Sequence, residues 1–196
     1  MLAQSAAWWA YWPYYMLAVM LLTASLTDVR QGKIPNWITY PSVLAGLAGH
    51  TIVGGLTGRG PLELGLAGSA GGLAVGFLPL MVAWLAGGIG GGDAKVMGAV
   101  GALTGWRFTL AAMLYGFLAA AMMAVIVMIR KKTTRRTLGR VWRFLVLLFT
   151  PGPTVDPAAK TSAKIPFGLA LCIGAALALI EAVWRGPVAK KLLLGW

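Results

Sequence analysis

Apolar runs approaching about 20 residues, the length that a bilayer's hydrocarbon core demands, recur along this chain. Of its 196 residues, 59% are hydrophobic and 11% are charged. A single soluble domain is usually about 45–50% apolar. The pattern therefore predicts one all-α integral membrane domain over residues 1–196, with no soluble domain attached. The opening residues lack a basic stretch and carry Trp8, Trp9, Tyr11 and Trp12. That composition suits an interfacial aromatic belt rather than a cleavable signal.

Six transmembrane helices are expected. The first runs from about Pro13 to Asp28, and the second from Ile34-Pro35-Asn36 to Gly54-Gly55. The third covers about Leu62 to Ala86, the fourth Ala94 to Gly105, the fifth Arg107 to Ile129 and the sixth Ile165 to Trp184. The fourth is short and follows a glycine loop. Its length gives roughly 18 Å of helix, well under a core of about 30 Å. Either it dips part-way, or the loop before it already lies below the membrane surface, where irregular backbone survives only against protein or a wet cavity. Gly68, Gly72 and Gly76, with Gly101 and Gly105, repeat at the four-residue spacing that lets helix backbones approach closely.

The formal charge of +12 assigns an orientation rather than a nucleic-acid partner. With the amino terminus outside, the basic residues of the polar loops, including Arg30, Lys33 and the run from Arg130 to Arg143, fall mostly on the inner side. Basic loops of this kind also meet anionic lipid headgroups. Residues 130–163 read as a basic cytoplasmic loop. Within it Val141 to Phe149 is too short to span, and either lies in the interface or re-enters the bilayer. Asp156 reads as a solvated loop residue.

Only five residues are acidic. Asp28 and Asp93 stand where long apolar runs stop or start, and an acid at bilayer depth is costly enough to suggest function. Each has a plain structural reading as well. Asp28 marks a helix end, although a carboxylate there faces the negative end of the helix dipole. Asp93, after Gly90, Gly91 and Gly92, is a natural N-cap. Together they suggest an aspartyl dyad, in which two close carboxyls share one proton. The ionised acid would take a proton from an attacking water while the protonated acid polarises a peptide carbonyl. Glycines beside one acid would let a substrate backbone approach. The lone His50 falls late in the second segment on the outer side and reads as structural. Cys172 reads as a small core residue. Neither a serine triad nor a metal site has candidates, so no metal or cofactor is expected.

Three motifs carry a family resemblance. Gly90-Gly91-Gly92-Asp93-Ala94-Lys95 resembles the GxGD signature of membrane aspartic peptidases. Asp28-Val29-Arg30 with Lys33-Ile34-Pro35-Asn36 resembles the first-aspartate region of the type IV prepilin peptidases. Lys164-Ile165-Pro166-Phe167-Gly168 resembles the opening of that family's last helix. The resemblance implies removal of leader peptides from prepilins or pseudopilins at the inner face of the cytoplasmic membrane, with Asp28 and Asp93 as the catalytic pair. Lys95 and Lys33 would lie at the substrate's polar flank or snorkel to lipid headgroups. Pro35 and Pro166 would each begin a helix. Larger bacterial members carry an amino-terminal region with paired CxxC motifs, linked to N-methylation. Nothing comparable stands here, so neither that activity nor zinc is expected. The compact form is similar to peptidases of Flp-type pilus systems and to archaeal preflagellin peptidases.

Two other readings stay open on residues alone. A small proton- or ion-coupled transporter would use both acids as a relay and should show an inverted repeat with broken helices. A non-catalytic assembly subunit would tolerate asparagine at both positions.

Overall fold

The computed structural model describes residues 11–58, 64–131 and 167–185. Among these residues all regular structure is α-helical. The elements are α1 (Trp12–Gln31), α2 (Asn36–Gly54), α3 (Gly65–Leu85), α4 (Gly91–Arg130) and α5 (Phe167–Arg185). Pro166, nearly all of the basic loop over 130–163 and the aromatic residues Trp8 and Trp9 lie outside the described residues.

Helix α1 starts with Pro13 in its first turn, where a missing N–H costs nothing. It stops at Gly32, whose left-handed backbone (φ 61°) lets its N–H cap the Asp28 carbonyl at 2.8 Å. Asp28 is therefore one turn inside the helix, not at its end. The buried side chains of α1 are Pro13, Leu17, Met20, Leu21 and Ala24. Asp28 is the next step down that column, so its side chain faces the interior by helical spacing. Val19, Leu22 and Leu26 point outward. The hydroxyls of Thr23, Ser25 and Thr27 donate to carbonyls one turn back in α1. That leaves them no need of water.

Helix α1 packs against α2 and α5, and α2 packs against α3. Helix α2 follows the extended Pro35 (φ −74°, ψ 147°). Pro35 thus stands just before the first helical residue rather than at it. The glycine spacing read from the sequence is used between α3 and α4. A Cβ on Gly72 would fall on the Gly101 carbonyl, one on Gly101 on the Gly72 carbonyl, and one on Gly76 on the Met97 carbonyl. Gly68 does not join this seam, since its Cβ would meet Leu64 of its own segment.

Helix α4 has 40 residues, roughly 60 Å at 1.5 Å each and twice a bilayer core. It is broken at Gly105 (φ 78°, ψ 174°), a backbone conformation open essentially to glycine alone. The break falls where the sequence ends its short fourth segment, and divides α4 into residues 91–104 and 106–130. The first part is the centre of the core, with Val96, Met97, Ala99, Val100 and Leu103 fully buried. Helix α5 meets α4 through glycines: a Cβ on Gly174 would fall on the Gly116 backbone. Cys172 is buried in α5, as expected of a small core residue.

Among the described residues three helices are long and apolar enough to cross a membrane: Gly65–Leu85, Gly91–Arg130 and Phe167–Trp184. With large apolar side chains such as Ile52 (83% exposed) turned outward, they make this a membrane protein. Helices α1 and α2 fall short of the same measure, because hydroxyl, amide and charged residues dilute their apolar runs. The chain divides into two units, residues 1–119 with 166–196, and residues 120–165. The site described below belongs wholly to the first.

Candidate active site

The two aspartates converge on one glycine. A Cβ built on Gly168, in the first turn of α5, would lie 2.8 Å from Asp93 Oδ1 and 2.9 Å from Asp28 Oδ2. The two oxygens are thus closer than the sum of those distances. Three helices supply the three parts: α1 brings Asp28 near its carboxyl end, α4 brings Asp93 near its amino end, and α5 contributes a residue without a side chain. Any Cβ at 168 would press on both carboxylates.

Asp93 is buried, with 7% of its surface exposed. Its Oδ2 accepts the Gly90 N–H at 3.2 Å, and its own N–H donates to the Gly90 carbonyl at 3.1 Å. Gly90 is the residue before α4, so Asp93 is the third helical residue reaching back to cap the first free amide. It is not the N-cap that the sequence pattern suggests. The reach-back occupies Oδ2 and turns Oδ1 toward Gly168. Asp28 Oδ2 is buried with no hydrogen-bond partner among the described residues. Two carboxylate oxygens, one of them unpaired, therefore face each other across the space that Gly168 leaves.

The glycine run is shorter as a loop than the sequence suggests. Gly91 and Gly92 already belong to the first turn of α4. A Cβ on Gly91 would come within 3.2 Å of the Trp84 indole nitrogen, and one on Gly92 within 3.3 Å of Ile34 Cβ. Both glycines serve close helix packing around the site. The chain reverses just before them at Gly87 (φ 77°).

The other motif residues divide. Lys95 Nζ donates to Asn36 Oδ1 at 2.8 Å and sits 5.6 Å from the centre of the Tyr40 ring. This joins the two motifs across α2 and α4. Lys95 also lines a cavity of about 380 Å³ with Thr39, Tyr40, Val43, Leu44, Leu73, Phe77 and Gly98. Arg30 and Lys33 are exposed, and neither forms an ion pair with an aspartate among the described residues. Arg30 lies in the last turn of α1, where a cation suits the helix dipole. Phe167 stacks on Phe117 with ring centres 6.1 Å apart. Tyr40 and Trp84 are neighbours of the site that no motif pointed to, whereas Ile34, beside Gly92, belongs to the first-aspartate motif. Glu181, a third acid in an apolar helix, accepts a hydrogen bond from Tyr115 at 2.5 Å and is remote in sequence from the pair.

A family model described as the type IV leader peptidase family matches residues 15–125, more than half of the chain. The matched region contains both aspartates and the glycine run. No curated protein and no solved structure matches the chain.

Proposed function

Because the chain belongs to the type IV leader peptidase family, we propose that it is a membrane aspartic endopeptidase acting on prepilin-type substrates, with Asp28 and Asp93 as the catalytic pair. Family membership supports peptidase chemistry in general. The observation that carries the finer reading is the meeting of both carboxylates over Gly168.

Two carboxyls this close do not both ionise easily, so the pair works with one shared proton. The ionised carboxylate accepts a proton from water as the water oxygen bonds to the peptide carbonyl carbon. The protonated carboxyl donates a hydrogen bond to the carbonyl oxygen, where negative charge develops. The C–N bond then breaks, the amine leaves with a proton from the pair, and a carboxyl terminus remains on the leader. Asp28 Oδ2, buried and without a hydrogen-bond partner among the described residues, and Asp93 Oδ1, turned to the same space, are the atoms assigned to these steps. Gly168 gives the scissile peptide room between them.

The reading places the site near the cytoplasmic face of the inner membrane, with the amino terminus outside and six spans. The proposed partners are a prepilin or pseudopilin and the surrounding lipid, without nucleic acid. The excess of basic residues in the inner loops supports that orientation.

The break at Gly105 is the one observation that favours the transporter reading, because transporters use discontinuous helices. The family match outweighs it. The test is purified protein in liposomes with a prepilin, read by mass spectrometry. The peptidase reading predicts two products that sum to the substrate plus one water. An intact substrate, with proton or ion flux reported by an entrapped dye, would favour the transporter.

A further inference from the structure

A buried histidine and a buried serine outside the aspartyl site reach adjacent carbonyls of the same helix. His50 is 1% exposed and Ser69 is fully buried, and they come from different helices, α2 and α3. His50 Nε2 lies 2.8 Å from the Leu103 carbonyl. Ser69 Oγ donates to the Ala102 carbonyl at 2.6 Å. A carbonyl only accepts, so Nε2 must carry the imidazole proton. Trp12 packs on the ring, with centres 5.0 Å apart.

Leu103 and Ala102 are the residues just before the break in α4. A continuous helix would satisfy their carbonyls with amides four residues on. The turn at Gly105 interrupts that ladder deep inside the protein, where unpaired carbonyls are costly. Thr109 Oγ1 donates to the Gly105 carbonyl on the far side of the same break, at 2.7 Å. The approach is made possible by missing side chains. Gly46, one turn before His50, faces the Ala102 carbonyl, and Gly72, one turn after Ser69, faces that of Gly101.

Asp93 stands at the other end of this same rod. From Gly91 to Leu103 the helix is roughly 18 Å long and stiff. Its depth and rotation are set by the glycine seam with α3 along its length together with what holds its two ends. We propose that His50 and Ser69 are positioning residues. They clamp the carbonyl end of the broken helix, and so hold Asp93 opposite Asp28 across Gly168. The clamp acts through the rigid helix and touches no reacting atom. It rests on the aspartyl-peptidase reading for its consequence in catalysis, but not for its geometry.

Two readouts separate those two claims. The first is leader cleavage by the native chain, Ser69→Ala, His50→Leu and His50→Gln, with kcat and KM measured apart. Gln is chosen because its amide nitrogen can donate in place of Nε2. The expected result is a loss in kcat of about 10²-fold for Ser69→Ala and His50→Leu, with KM within a factor of about two, and substantial recovery in His50→Gln. The second readout needs no activity. Asp28→Cys and Asp93→Cys are combined in a Cys172→Ala background, and the disulfide yield under mild oxidant is compared with and without Ser69→Ala. The clamp predicts a clear fall in yield for protein that remains folded and monodisperse. An unchanged yield, or native kcat in folded Ser69→Ala, overturns the proposal. If the native chain cleaves nothing, the peptidase reading fails, while the disulfide yield still decides the clamp.

Discussion

At the scale of single residues, the site turns on an absence. Gly168 has no helix-breaking task in α5, yet a Cβ there would sit under 3 Å from an oxygen of each aspartate. Gly168→Ala should therefore leave the protein in the membrane at native levels and lower kcat by about 10²-fold, because the carboxylates must move apart. Native kcat in that variant would remove Gly168 from the site. The pair Lys95–Asn36 is weaker. Its hydrogen bond is exposed, so Asn36→Ala should cost at most about 1 kcal/mol of stability in a thermal melt.

At the scale of elements, α4 decides the architecture. Its break at Gly105 uses a backbone conformation that costs other residues about 1–3 kcal/mol. A Cβ at 105 would also meet Leu64 at 3.0 Å. Gly105→Ala should lower the melting temperature in detergent by several degrees. Gly101→Leu, at the seam with α3, should do more harm, since it forces two backbones apart. Equal melting temperatures for Gly101→Leu and native protein would contradict the packing.

Much of this was legible in the chain. The four-residue glycine spacing reports the α3–α4 seam because only backbone contact demands repeated glycine. The helix end at Gly105 shows in the shortness of the apolar run. Asp28 and Asp93 stand out as scarce acids at the ends of apolar runs, whereas Gly168 joins them only through motif resemblance, since no periodicity links residues 65 and 75 positions apart. The N-cap expected at Asp93 lies three residues earlier, at Gly90, because a glycine run does not reveal where the first helical turn begins. His50 and Ser69 left no pattern at all. Their partners are main-chain carbonyls at a distant break, and a carbonyl has no sequence signature.

For the whole molecule, outward apolar side chains and inward small residues describe a protein made for lipid. The three apolar spans and the family match agree on that. The basic residues predict that the loop after α1 faces the cytoplasm and the turn after α2 faces outward. Cys172 is the only cysteine and is buried, so a Cys172→Ala background suits labelling. In intact cells an impermeant maleimide should modify Gly58→Cys and spare Lys33→Cys until the membrane is opened. The reverse pattern would place the aspartates on the outer face.

The most direct test of the central claim is leader cleavage of a co-expressed prepilin by the native chain, Asp28→Asn and Asp93→Asn, with equal membrane levels confirmed. An aspartyl pair that activates water predicts cleavage by the native chain, and a loss of about 10²–10⁴-fold in each single variant. Cleavage at native rate by either asparagine variant would contradict it.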